Sequence, residues 1–321
     1  MVKGLNPKPS FEDFIQTCTP LLRIPGLEVE MRNRVRKIVG ELLNFKPGTD
    51  PAKNLMQFIQ KDENFLGILL ALTNLSQEKF LRIITAQRFA VKDFGTEWGA
   101  DQIYRKIKND DKFAEVIARL FLEGRSSKLL AEQIADFYLD QLSLPVNWAE
   151  VIQDENLIGN IVRRKLTGEY TDKKGEFVEN IVSNYLDNLK TRYGITHAHG
   201  QVALVGKEID YAIPNLNDAY ILIMVSYMET TSSGQTARAN EQQAMYQKII
   251  GENVRYAPNE RVFVNIVDGA GWLARRSDLR KIHAGCHYCL NMKTLDQLEA
   301  IVLTHIPDRF INHSLNGKIE G

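Results

Sequence analysis

An all-α N-terminal half followed by an α/β C-terminal half is the organisation this 321-residue sequence predicts. Three observations carry the prediction. As far as about Trp148 the apolar residues recur at three- and four-residue spacing; from about Gln201 the apolar runs become short, β-branched and aromatic; and the second half reads helix, strands, helix, strand, helix. The chain is long enough for one large core or two medium ones, and two are expected, divided as 1–150 and 151–321.

The helical half is carried by segments such as FLGILLALTNL, FAEVIARLFLEG and LLAEQIADFYLDQL, each with an apolar stripe. Pro25-Gly26, Pro47-Gly48 and Gly124 with its two following serines punctuate it as helix ends. After Leu144-Pro145 the pattern changes. The basic cluster Arg163-Arg164-Lys165 precedes TGEYTDKKGE, a polar stretch with no apolar face, so a boundary is expected between 145 and 175. A helix follows from about Gly175 to Arg192, with Phe177, Ile181, Val182, Tyr185 and Leu189 expected on its buried side. The runs QVALVG, EIDYAIP, AYILIMVSYM and RVFVNIVD then read as strands, and TARANEQQAMYQKIIG as the helix before the last of them.

Composition narrows the function classes. Lys+Arg and Asp+Glu both number 40, so a generally sticky polycation is excluded and a nucleic-acid surface has to be a local patch. No run approaches the roughly 18 apolar residues that cross a bilayer, and MVKGLNPKPSFEDF lacks a signal-peptide core. A cytoplasmic protein with no membrane partner is expected. Three cysteines, Cys18, Cys286 and Cys289, are too few for a disulfide framework and read as free thiols.

The chemistry centres on Asp210, at the end of one strand, and on the apolar strand Ile221 to Met228 that follows it and opens into a Thr/Ser/Gly loop. Side chains alternate across a strand, so only residues two apart share a face and can converge on one ion. This layout resembles the PD-(D/E)XK nuclease fold. With GEFVENIVSNYL, IDYAIP, VSYMETTSSGQTARANEQ and above all VNIVDGAGW, the resemblance covers roughly residues 170 to 305 and is to type II restriction endonucleases of the DpnII/MboI kind. It implies a mixed central sheet flanked by helices, a double-stranded DNA substrate, Mg²⁺ as cofactor, a homodimer acting on a palindrome, and a place in a prokaryotic restriction system. By the same resemblance Asp210 is the first metal ligand, the main-chain carbonyl near Val225 a second, and Glu179 (or Glu176) the glutamate supplied by the preceding helix.

The sequence departs from the family pattern at two positions. Met224 stands where the second acidic ligand is expected, and a soft, neutral thioether is a poor ligand for Mg²⁺. Ser226 stands where the family carries its lysine, a replacement known in the group. Three explanations of Met224 remain open: a substitution introduced to trap a DNA complex, a natural loss of cleavage, or transfer of the carboxylate to Glu208 or Glu229. Glu208 shares a face with Asp210; Glu229 is on the wrong side of the strand unless it bulges.

The loop from Thr230 to Arg238 offers five hydroxyls, the Gln235 amide and the Arg238 guanidinium. Under the nuclease reading, Thr230, Thr231, Ser232, Ser233, Gln235 and Arg238 are candidate DNA contacts, as are the basic pairs Arg163-Arg164 and Arg275-Arg276. By composition alone the loop would be a solvated connection and the basic runs solvated faces. HAGCHYC, with His283, Cys286, His287 and Cys289, has one Cys-x-x-Cys spacing and no second pair, so a helix end and a buried strand with core thiols is the better reading than zinc. Asp268-Gly-Ala-Gly-Trp272 lacks the third glycine of a dinucleotide loop and reads as a turn in which the glycines relax the backbone and Trp272 packs. His197 and His199 flank a strand start and receive no role. The functional expectation is a metal-dependent endonuclease, active or inactivated. Its rivals are a non-catalytic DNA-binding protein that keeps the fold and an unrelated α/β enzyme.

Overall fold

The computed structural model describes residues 7–315 except Phe94, Val146, Pro258 and Asn259. They fall into two compact units, one made of residues up to Ile24 together with Glu169 onward, the other of Pro25–Gly168. The division expected at 150 therefore moves, and the N-terminal segment joins the C-terminal unit. The reason is apolar: Phe11, Phe14 and Cys18 are buried in the same cluster as Trp272, Leu279, Ile282 and Cys286.

The second unit is helical, as its periodicity predicts, with helices at Pro25–Leu43, Pro51–Lys61, Glu63–Leu72, Gln77–Ala90, Ala100–Asn109 and Asp111–Glu123. Asp50, Asp62, Ser76 and Asp110 cap four of them, each accepting from a backbone N–H of the first turn. Phe45, Phe58, Phe65 and Trp148 pack ring against ring at its centre. LLAEQIADFYLDQL is not one helix but two short ones, Lys128–Ala131 and Asp136–Leu139, followed by a 3-10 turn. Phe137 is 71% exposed there, so the apolar spacing of that segment does not describe a single buried face.

In the first unit β1 (Ala198–Val202), β2 (Lys207–Ile213), β3 (Ile221–Tyr227), β4 (Val262–Asp268) and β5 (Tyr288–Leu290) make one mixed sheet in sequence order. β1, β2 and β3 are antiparallel neighbours, whereas β4 runs parallel to β3 and β5 parallel to β4. Three of the four expected strands are present as read; QVALVG holds only the last two residues of β1, Gln201 and Val202, and then turns into β2. One face is covered by the long helix Glu155–Tyr193 and by Gln297–His305; the other by Gln235–Tyr256, Arg276–Ala284 and Phe11–Thr17. Buried from both sides, β3 and β4 are nearly continuously apolar, as parallel strands under two helical layers must be.

The long helix corrects two expectations. Glu155–Tyr193 includes TGEYTDKKGE, so the polar stretch is helical and not a loop. An i,i+4 ion pair, Glu169 to Lys173, and a buried ion pair of Lys174 replace the missing apolar face. Its core stripe is Val178, Val182, Leu186, Leu189 and Tyr193, whereas Phe177 and Tyr185 are 39% and 38% exposed. Val182 and Leu189 are common to the expected and the observed stripe, which is turned by about one residue so that Val178 and Leu186 replace Phe177 and Tyr185 against the sheet. Gly175 lies within this helix with open space where a Cβ would be. Gly175→Ala is therefore expected to stabilise the protein by about 0.5–1 kcal/mol, read as a raised thermal midpoint.

Candidate active site

β2 and β3 begin side by side and then part. Their backbone ladder runs through Ile213↔Ile221, Ala212↔Leu222 and Tyr211↔Ile223. At the next step the Asp210 side chain takes over: its Oδ2 accepts the Val225 N–H at 2.7 Å. A carboxylate thus stands in for a backbone acceptor and wedges the strands apart. Within a strand the N–H and C=O of one residue point to the same side, so the Val225 carbonyl faces this opening too. By the antiparallel register Met224 is the residue across from Asp210, and Ser226, two residues on, shares the face of Met224.

The opening is acidic. Burial raises the pKa of Asp210 above the usual carboxylate range, and the Val225 hydrogen bond opposes that rise. Glu179, on the exposed flank of the long helix, is also raised, first by burial and then by the charges of Asp210 and Glu176. The Tyr211 hydroxyl donates to the Glu179 carbonyl at 3.1 Å and ties that turn of the helix to β2. His199 lies beside the cluster, with Nδ1 3.3 Å from the Asp210 carbonyl and Nε2 3.0 Å from Glu208.

A hard divalent cation does not fit the residues present. Mg²⁺ demands oxygen ligands in near-octahedral array, and the position opposite Asp210 presents a thioether. Among the described residues no three acidic, histidine or cysteine side chains converge on one point. Glu229 is committed elsewhere: its Oε1 accepts from Lys174 Nζ at 2.7 Å and from the Tyr227 hydroxyl at 2.6 Å. Glu208 pairs with His199 at the surface.

Beyond β3 the loop is held by the glycine turn that follows β4. The Gly271 N–H donates to the Met228 carbonyl at 2.8 Å. A Cβ on Gly269, whose φ is +107°, would come within 2.2 Å of Met228 O, and one on Gly271 within 2.4 Å of Thr230 O. Backbone lies against backbone here, which is why the motif needs glycine. Gly271→Ala is expected to cost about 1–3 kcal/mol by displacing Thr230, opposite in sign to Gly175→Ala in the same unfolding assay.

Thr230, Thr231, Ser232 and Ser233 are exposed, as a contacting loop requires. Gln235 is not: it is 1% exposed, and its Oε1 accepts the Ser232 N–H at 3.0 Å, so it shapes the loop from beneath. Arg238 is exposed, and its Nη1 donates to Ser226 Oγ at 3.0 Å. Arg275 is tied to Asp278 and Thr236, and Arg276 pairs with Glu12. Arg163 and Arg164 are exposed and belong to the second unit, while Asp210, Glu179, Met224 and Ser226 all belong to the first.

The cysteine–histidine segment and Asp268 are structural. Cys18, Cys286 and Cys289 are buried free thiols; the His287 Nδ1 accepts the Phe263 N–H at 2.9 Å, and burial beside His305 pushes its pKa down to about 4. The buried Asp268 carboxylate accepts from the backbone N–H groups of Thr19, Gly269 and Met292, and so clamps the N-terminal segment to the end of β4. Trp272 is fully buried and donates from Nε1 to Ser226 Oγ at 3.1 Å. Neither this bond nor the Lys174–Glu229–Tyr227 chain has any signal in residue spacing. Both join segments far apart in sequence.

Comparison with known proteins gives one positive result. No curated protein and no solved structure matches the chain. A family model does, the DpnII restriction endonuclease, over residues 155–300, a span that takes in the long helix, all five strands and the glycine turn. That stretch of the chain is similar to the DpnII restriction endonuclease family.

Proposed function

We propose that this chain is a type II restriction endonuclease of PD-(D/E)XK architecture, acting as a homodimer on a short palindrome in duplex DNA and attenuated in cleavage at Met224. It would work in a prokaryotic cytoplasm, and the helical unit would contribute DNA contacts or dimerisation. The observation that carries the reading is the Asp210 carboxylate seated on the Val225 N–H where β2 and β3 part, with a thioether across from it. In an active relative of this arrangement Mg²⁺ would sit between Asp210, the position of Met224 and the Val225 carbonyl. In this chain Met224 leaves the part-buried Asp210 and the more exposed Glu179 without the further acid such a site would need. The second reading, a DNA-binding protein that keeps the fold without the chemistry, is supported by the same missing ligand.

Selection of bound oligonucleotides from a random duplex pool in Ca²⁺ tests both readings of the partner. Enrichment of a palindrome is expected; absence of any salt-dependent affinity for duplex DNA would sink them together. Asp210→Asn removes a negative charge from beside the expected phosphate position. Without divalent ions it should bind duplex several-fold more tightly than the parent in an anisotropy titration. An unchanged affinity would place the DNA elsewhere.

A further inference from the structure

We infer that Arg238, mounted on Ser226 and Trp272, is the cation that grips the phosphate at this site, the task the chain's incomplete metal site leaves unfilled. The inference rests on the placement of DNA at the Asp210 opening. A phosphodiester brought there adds a third negative charge to Asp210 and Glu179, and something positive has to face it.

Arg238 is the arginine placed to do so. Arg255, Arg275, Arg276 and Arg280, on the same helix or around the neighbouring Arg276–Ala284, are each in an ion pair, with Glu252, Asp278, Glu12 and Glu12 respectively. Among the described residues Arg238 has no carboxylate partner; its bond is to Ser226 Oγ at 3.0 Å. That oxygen is also held by the buried indole of Trp272 at 3.1 Å, so the mount is rigid on one side and the guanidinium exposed on the other. Ser226 lies two residues beyond Met224, on the face that looks across at Asp210. One bond to the mount leaves most of the guanidinium fork free for two phosphate oxygens. The arrangement gives a purpose to Ser226 and to the tryptophan of the glycine turn: they are positioning residues for a cation that comes from the following helix.

The test uses the full chain and a fluorescein-labelled random-sequence duplex, titrated with potassium chloride without divalent ions. Arg238→Ala is expected to lower the slope of log affinity against log salt by about one, a loss of roughly tenfold at about 0.1 M salt. Arg276→Ala, which removes an arginine already paired with Glu12, should change the slope much less. Ser226→Ala removes no charge yet should weaken binding, and the double variant should bind no worse than Arg238→Ala alone. A slope unchanged in Arg238→Ala, or in Arg238→Gln should the alanine variant unfold, overturns the inference. So does strict additivity with Ser226→Ala. If Arg238→Ala lowers the slope but Met224→Glu never cuts DNA, the phosphate grip stands and the nuclease reading alone fails. If Met224→Glu cuts DNA and adding Arg238→Ala leaves kcat and affinity unchanged, the grip fails and the nuclease reading stands.

Discussion

Met224→Glu is expected to turn cleavage on, raising the rate of duplex hydrolysis in Mg²⁺ by about 10²–10³-fold or more over the parent chain. The substituted carboxylate would stand across from Asp210 on the same face, with the Val225 carbonyl between them, which supplies the oxygen donors a hard cation requires. The same change carries its own control. Without metal, a second carboxylate beside an already desolvated Asp210 costs stability; with Mg²⁺ that repulsion becomes coordination, so the thermal midpoint should fall and then recover as the ion is added. A folded variant that neither cuts DNA nor gains stability from Mg²⁺ removes the site from Asp210.

Glu229→Ala is expected to cost about 3–5 kcal/mol of stability, seen as a lower urea midpoint, because it leaves the Lys174 ammonium buried without its partner. The two side chains are 5% and 10% exposed and 2.7 Å apart. Burial works to lower the pKa of Lys174, but its hydrogen bonds to the Glu229 carboxylate and the Tyr170 side chain outweigh it and hold the value above that of a free lysine. A base whose folded pKa is raised stabilises fully below the unfolded value of about 10.4 and loses that contribution only as pH climbs through the folded one. The loss in Glu229→Ala should therefore be the same throughout the neutral range. If Glu229 were instead the displaced metal ligand, its removal would leave stability nearly intact and change metal response.

The strands and the site were legible to different depths. EIDYAIP, AYILIMVSYM and RVFVNIVD announced β2 to β4 because β-branched runs bounded by turn residues have few other uses, and the Asp210–Val225 neighbourhood followed from their order; QVALVG overlapped β1 only at Gln201 and Val202. The buried thiols near β5 were legible for the same reason. TGEYTDKKGE was not, since the buried ion pair that secures its helix, Lys174 to Glu229, has its partner outside the segment. Nor was the membership of the N-terminal residues in the unit that holds the sheet. Local periodicity carries no information about a hydrogen bond between Thr19 and Asp268, 249 positions apart. Arg238 was visible as a polar candidate in a loop, but its mount on Ser226 and Trp272 required the fold.

The clamp of Asp268 on the Thr19 amide bears on the order in which the chain acquires its structure during synthesis. The helices of Pro25–Gly168 leave the ribosome as a block with its own core, whereas the segment before them has to wait, undocked, until β4 and the glycine turn have been made. The unit that holds the sheet is thus completed late in translation, when Phe11, Phe14 and Cys18 can join the cluster of Trp272, Leu279 and Ile282. A ribosome that stalls before Asp268 releases a chain in which that unit cannot be completed.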